Sequence, residues 1–234
     1  MSRGTLIVFW LMLASATCNY TNVLWEHRCE AGSAVFACTI PDFLYIPGQN
    51  SSRVIEPDST VMRRLSIRGT RRRTAHINTR LTIDAYDAAL HNQLKRPRAV
   101  QFAETKMKLV EIPIDLEYGD FSSGYVHYVV VPSSETAYPL RYLDLDWNIM
   151  GDIHNLSTLV NLETLILSRN RLSSISKQVF QRMTNLTTLI ISMNRILEIS
   201  FSMFPPRLEK LFVHINGLES VDFSDANLPA LEVL

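Results

Sequence analysis

The side chains best suited to chemistry are scattered along this 234-residue chain rather than assembled. Six histidines, His27, His76, His91, His127, His154 and His214, never adopt the H-E-x-x-H spacing that sets two imidazoles one helical turn apart over zinc. No G-x-S-x-G elbow presents a serine nucleophile, and eight glycines in all leave little material for a loop around a phosphate. The three cysteines, Cys18, Cys29 and Cys38, lack the neighbouring His or Cys that a zinc site needs. The expectation is therefore a protein without catalysis, cofactor or metal, working by contact. The side chains for contact are Asp144, Asp146, Trp147, Ile166, Ser168, Arg169, Ile190, Met193, Phe212, His214 and Ile215, which recur at fixed offsets.

Those offsets come from a repeat. Between Leu140 and Leu218 the pattern L-x-x-L-x-L-x-x-N-x-L occurs four times, every 22 to 24 residues, with conservative exchanges. The copies are Leu140-Leu143-Leu145-Asn148-Ile149, Leu162-Leu165-Leu167-Asn170-Leu172, Leu186-Leu189-Ile191-Asn194-Ile196 and Leu208-Leu211-Val213-Asn216-Leu218. In the first, Ile149 takes the final apolar place one residue early. A period of this length is the mark of a leucine-rich repeat solenoid, an α/β fold with a curved parallel sheet on its concave side and an irregular or short-helical convex side.

Within each copy the strand alternates, so Leu165 and Leu167 turn into the coil while Thr164, Ile166 and Ser168 face the concave surface. Each buried Leu or Ile contributes roughly 1.5–3 kcal/mol, once neighbouring coils cover it. The asparagine ends the strand, where its carboxamide can satisfy backbone groups as the chain turns. Read across the copies, one stripe of the concave face is Asp144, Ile166, Ile190 and Phe212, and the next is Asp146, Ser168, Ser192 and His214. The third is Trp147, Arg169, Met193 and Ile215. The apolar members beside Arg169 and His214 form either a protein-binding patch or cross-strand pairs that stabilise the sheet. His214 titrates in the physiological range and is also a candidate acid sensor.

The N-terminus reads as a secretory leader, residues 1–16: Arg3, an apolar run from Leu6 to Leu13, then Ala14-Ser15-Ala16 as a small-x-small cleavage site. Ala16-Thr17-Cys18 is a second cleavage option. The run is shorter than the ~20 residues a membrane span needs, and no other stretch qualifies. The expected localisation is secreted, extracellular. Four N-x-S/T sequons at Asn19, Asn50, Asn155 and Asn185 suit that compartment. Cys29 and Cys38 are the expected disulfide, stabilising by roughly 2–4 kcal/mol. Cys18 is either removed with the leader or free to pair with another chain.

Residues 17–98 show no clear repeat and are expected to cap the solenoid's first coil, with weakly alternating strands at Val61–Ile67 and His76–Ile83. The solenoid then occupies 99–234, beginning with a degenerate copy in which Val100 and Phe102 are strand residues and Met107, Val110 and Ile112 anchor the return. Phe121 to Val131 suggests an irregular coil, and Leu231-Glu232-Val233-Leu234 begins another repeat, so that the solenoid looks truncated. From Arg63 to Arg98 ten basic residues face only Asp84 and Asp87. That stretch is a candidate for anionic glycans or microbial surfaces, for proteolytic processing after Arg68-Gly69-Thr70-Arg71, or simply a solvated face. Lys plus Arg equals Asp plus Glu at 23 each, so the overall charge points to no nucleic-acid partner.

The leader, the close cysteine pair followed by Thr39-Ile40-Pro41-Asp42-Phe43, the Val100-Gln101-Phe102-Ala103-Glu104-Thr105-Lys106-Met107 segment and the irregular repeats together resemble the leucine-rich repeat immune proteins of mosquitoes. The resemblance implies secretion into haemolymph and a role in innate defence. Its implied partners are another leucine-rich repeat chain or a complement-like protein. The cysteines and coiled coil through which better-known members pair are absent up to Leu234. An ectodomain of a cell-surface receptor or adhesion protein is the alternative, and an inhibitor of a secreted enzyme a third.

Overall fold

The structure, a computed structural model, describes residues 83–103 and 105–234, together with four upstream strands. Those strands are β1 (Trp25–Arg28), β2 (Ala37–Pro41), β3 (Ser52–Ile55) and β4 (Arg64–Arg68). The expected leader, Cys29, the sequons at Asn19 and Asn50, and the Arg71-Arg72-Arg73 run lie outside the described residues.

The three-residue strands predicted from the repeat are present as β10 (Tyr142–Asp144), β11 (Thr164–Ile166), β12 (Thr188–Ile190) and β14 (Lys210–Phe212). They pair in parallel with Leu143, Leu165, Leu189 and Leu211 in one register. Each of these leucines is fully buried, as are Leu145, Leu167 and Ile191, because alternation sends every second side chain into the coil.

The sheet continues upstream through β8 (Tyr118–Asp120) and β6 (Ala99–Ala103) to β4 and β2, giving eight parallel strands in the order β14-β12-β11-β10-β8-β6-β4-β2. It crosses residue 98 without a break, with Leu65 opposite Val100 and Ile67 opposite Phe102. Val61–Ile67 thus overlaps a strand of the main sheet. Alternation alone keeps this pairing going where the asparagine and the return-segment leucines that make a repeat visible are missing.

The return segments change along the chain. In the early coils they are strands: β5 (Ala85–Tyr86), β7 (Leu109–Glu111) and β9 (Tyr128–Val130) form a second parallel sheet. The middle coils return through a 3-10 turn at His154–Thr158 and α2 (Lys177–Gln181), and a further pair, β13 (Glu198–Ser200) and β15 (Ser220–Asp222), follows. Val-rich stretches such as Tyr128-Val129-Val130 favour the extended form, whereas Lys177-Gln178-Val179-Phe180-Gln181 has the composition of a short helix. A spine of Phe180, Phe201 and Phe204 packs between these returns, with ring centroids 5.6 and 5.9 Å apart. The start of a next coil is visible where Val233 bridges to Lys210.

Upstream, α1 (Ala88–Gln93) is capped by Asp87, whose carboxylate accepts the Leu90 N–H at 2.7 Å. It lies over an aromatic core of Tyr86, Phe102 and Phe121. Gly119 stands in the leucine place of β8, and a Cβ there would lie 2.7 Å from the Phe121 ring, so the glycine makes room for that core.

Candidate functional site on the concave face

An asparagine ladder fixes the end of each strand and so aims the outward side chains. The Asn170 amide donates to the carbonyls of Leu145, Leu167 and Ser168, at 2.9, 3.1 and 3.0 Å, while its oxygen accepts the Met150 N–H at 3.0 Å. Asn148, Asn194 and Asn216 bond in the same way to their own coil and the preceding one. One reading of the repeat needs correction here. Met150, not Ile149, takes the final apolar place of the first copy: it is buried and its N–H meets the next asparagine, as do those of Leu172 and Ile196. That copy is full length. Ile149 and Met150 are both apolar, but the spacing of the other copies, two residues from asparagine to the last apolar place, agrees with the ladder in selecting Met150. Upstream, Gly124 stands at the ladder place, where a Cβ would lie 2.9 Å from the Asn148 oxygen.

The residue before each ladder asparagine is left-handed: Trp147, Arg169, Met193 and Ile215 have φ between 53° and 55°. These four are exposed at the rim where the strands turn away. Ile215 is the costliest of them, since a β-branched side chain disfavours that region, and it is also 65 % exposed.

The first half of the face, over β8 and β10, is acidic and aromatic. Tyr118 and Tyr142 stack with centroids 4.2 Å apart and planes 5° from parallel. Beside them Asp120 and Asp144 are directly opposed across the sheet, with Asp146 two residues further on. Asp120 is held by the Gln101 amide at 2.8 Å and the Ser122 N–H at 3.0 Å. Asp144 accepts the Asp146 N–H at 2.8 Å. Burial, reinforced by the charges of Asp120 and Asp146, nevertheless pushes the Asp144 carboxyl up to about 6. Burial also raises Asp146, opposed chiefly by the Arg169 guanidinium, 3.4 Å from its Oδ2. Arg169 in turn lies 5.6 Å from the Trp147 ring centroid, a cation–π contact.

The second half, over β11, β12 and β14, is apolar. Ile166, Ile190 and Phe212 are directly opposed across the strands and half-buried by one another. Ser168 and Ser192 lie under this surface and are buried, so Ser168 offers a partner little area. Ser192 Oγ is 3.1 Å from His214 Nδ1, and the Phe212 ring meets that imidazole edge-on at 6.5 Å. Met193 and Ile215 extend the apolar surface to the rim. The structure thus brings ten of the eleven predicted contact residues onto one face or its rim, with Ser168 buried beneath them, and divides them by chemistry.

The reading from sequence did not include Asp120, Tyr118, Tyr142 or Gln101. The signal was available: Tyr118-Gly119-Asp120 repeats Tyr142-Leu143-Asp144 at 24 residues, with glycine hiding the leucine place. It also did not include a buried relay in the first coils. Tyr86 Oη is 2.7 Å from His91 Nδ1, His91 Nε2 is 2.8 Å from Asp115 Oδ1, and the Arg96 guanidinium donates to Asp115 at 3.0 Å. Burial lowers the His91 pKa, although Asp115 works against it. Among the described residues no group of three or more His, Cys, Asp or Glu side chains is placed to hold a metal ion.

Of the basic stretch, Arg96 is engaged by Asp115, and Arg98 pairs with Glu117 at 2.7 Å. Asn155 and Asn185 both fall outside the strands.

The sequence profile described as leucine rich repeat matches residues 160–218. A leucine-rich repeat protein of Leptospira interrogans superposes with a TM-score of 0.56 at 15% identity, over 74% of this chain and 48% of that one. The leucine-rich repeat domain of APL1B superposes with a TM-score of 0.54 at 19% identity, over 78% of this chain and 58% of that one. The fold is a leucine-rich repeat solenoid. No curated protein sequence matches the chain. At these identities the likeness is one of fold, and the solenoid described here spans about half the length of those two structures. Among the described residues no helix is long and apolar enough to cross a membrane.

Proposed function

We propose that this solenoid is a secreted protein that binds other proteins through its concave face, in innate immune recognition or in scaffolding a complement-like effector. The observation that carries the reading is the continuous outward surface in which the Tyr118–Tyr142 stack and three carboxylates adjoin Ile166, Ile190 and Phe212. Apolar surface beside fixed charge is the composition of a protein interface, with the apolar part supplying affinity and the charged part orientation. The leader at 1–16 and the sequons support secretion, and the resemblance to mosquito immune proteins supports the setting. Residues 17–98 close the N-terminal end, and the Cys29–Cys38 disulfide belongs to that segment. The Arg63–Arg98 basic stretch is the proposed contact for anionic glycans or microbial surfaces, and within it Arg96 and Arg98 have acidic partners.

The test is co-purification from haemolymph with secreted wild-type protein and with the Ile190→Ser/Phe212→Ser double variant. A partner retained by the wild type and lost by at least about tenfold in the folded variant supports the reading. Equal capture by both removes the concave face from it.

A further inference from the structure

On the convex flank, away from the concave face, a groove of about 300 Å³ lies between β9 and the segment Ile149–Leu156. That is the small end of the range for ligand sites, close to the bulk of a single sugar ring with its substituent. Its lining includes the buried side chains of Val129, Ile153 and Leu156. One wall is aromatic: His127 and Tyr128 stack with centroids 5.9 Å apart, and Tyr128 is 70 % exposed. Opposite, Gly151 leaves open space, with nothing within 4 Å of a Cβ built there.

Asn155, the first residue of the sequon Asn155-Leu156-Ser157, lines the same groove and is exposed. Its amide reaches across to the Val129 carbonyl at 3.4 Å, a long contact that holds it against β9, the strand that carries the aromatic wall. Asn185 differs. Its carboxamide is engaged on the ascending edge, accepting from Arg207 at 3.1 Å with its amide 3.5 Å from Asn161, and it does not line the groove.

We propose that the groove seats the first N-acetylglucosamine of an N-glycan on Asn155, with the sugar's C–H-rich face against Tyr128. The attachment rests on the secretion reading. It takes place on the nascent chain, where Asn155 Nδ2 displaces lipid pyrophosphate from the anomeric carbon of a lipid-linked oligosaccharide. A C–N bond forms, the C–O bond to pyrophosphate breaks, and Nδ2 gives up one proton. The remaining N–H is the one the Val129 carbonyl accepts. An exposed tyrosine on the flank of a return strand is then explained: it is one wall of a sugar seat, and the glycan covers the apolar groove.

The experiment uses the whole chain secreted from insect cells, as wild type, Asn155→Gln, Tyr128→Ala and the double variant. Glycopeptide mapping is expected to find Asn155 occupied. Peptide N-glycosidase acting on native protein should then release the Asn155 glycan roughly threefold or more faster from Tyr128→Ala than from wild type. Thermal melting should show Tyr128→Ala lowering Tm in the glycosylated protein and leaving Asn155→Gln unchanged. Equal release rates, or the same Tm loss in both backgrounds, overturn the proposal. So does an empty Asn155 in a secreted chain glycosylated elsewhere, an outcome that leaves secretion standing. A chain retained in the cell with every sequon empty overturns the secretion reading and the proposal with it.

Discussion

The two halves of the concave face share one backbone and differ in what their outward positions carry. Over β8 and β10 the column holds Asp120 and Asp144, while over β11, β12 and β14 the same column holds Ile166, Ile190 and Phe212. The apolar half stabilises itself, since directly opposed Ile and Phe side chains bury area against one another. The acidic half works against the fold at neutral pH, since directly opposed carboxylates repel and Asp144 gives up hydration to sit there. A surface kept at a cost to stability is where a partner's positive charge has most to gain, whereas the apolar half needs no partner to be favourable. In the proposed function the acidic half supplies orientation and the apolar half adhesion.

Both halves stand on one scaffold, and the largest effect comes from breaking it. Asn170 lies under the boundary between the halves with three carbonyls and one N–H satisfied by its carboxamide. Asn170→Ala should cost about 3–5 kcal/mol in urea unfolding, because each buried backbone group left unpaired costs about 1–3 kcal/mol. A loss under about 1 kcal/mol would mean that water replaces the ladder.

Next in size is the pH dependence of the acidic half. The Asp144 pKa rises on folding from 3.8 to about 6, so the folded state holds this proton where the unfolded chain has released it. Its effect on stability is absent below the unfolded value, grows as pH rises from 3.8 to about 6, and is a full penalty above that. Asp144→Asn should therefore raise stability at pH 7.5 by about 1–2 kcal/mol, after allowance for partial exposure, and flatten this part of the profile. Ile190→Ala in the other half should instead cost about 1–2 kcal/mol by the same amount at pH 5 and pH 7.5. A pH-dependent cost at Ile190 would show that the halves are electrostatically coupled.

The buried relay under the first coils should add a separate acid limb. The His91 pKa is lowered by burial, so the unfolded chain binds this proton first and stability falls as pH drops below about 6.5. Burial pushes the Asp115 carboxyl up, but the hydrogen bonds from His91 and Arg96 and the neighbouring charge together outweigh it and lower the pKa, so that its contribution disappears as pH falls through the ordinary carboxylate range. His91→Gln, which cannot take up the proton, should remove the limb that sets in below about pH 6.5 while leaving the Asp144 contribution unchanged.

The smallest effect belongs to the rim. Arg169 joins the halves by reaching Trp147 and the half-buried Asp146, but the guanidinium and the indole are themselves exposed at the rim. Arg169→Ala should cost no more than about 1 kcal/mol and vary with salt.

The same contrast shows what was open to reading in the sequence. The regular coils from Leu140 announce themselves because leucine and asparagine are needed at fixed places: leucine to fill the coil, asparagine to bond two coils at once. Alternation then gives the outward stripes, so the apolar half could be listed from sequence, and Asp144 and Asp146 with it. Asp120 escaped because Gly119 replaces the leucine that would have marked its strand, and Phe121 fills the vacated space from two residues away. The relay escaped because Tyr86, His91 and Asp115 have no common period, and only stacking of the coils brings them together.

By itself the sequence determined the repeat, the parallel register of its strands and the side of the sheet each residue faces. These follow from local geometry and a period of two within each strand. Tertiary structure alone decided how far the sheet runs upstream of the regular copies, and that Tyr86, His91 and Asp115 meet in one buried relay. It also decided that Tyr128, His127 and Asn155 share one groove. Those are contacts between coils about two dozen residues apart, and their energies depend on which side chains the stacking brings within reach.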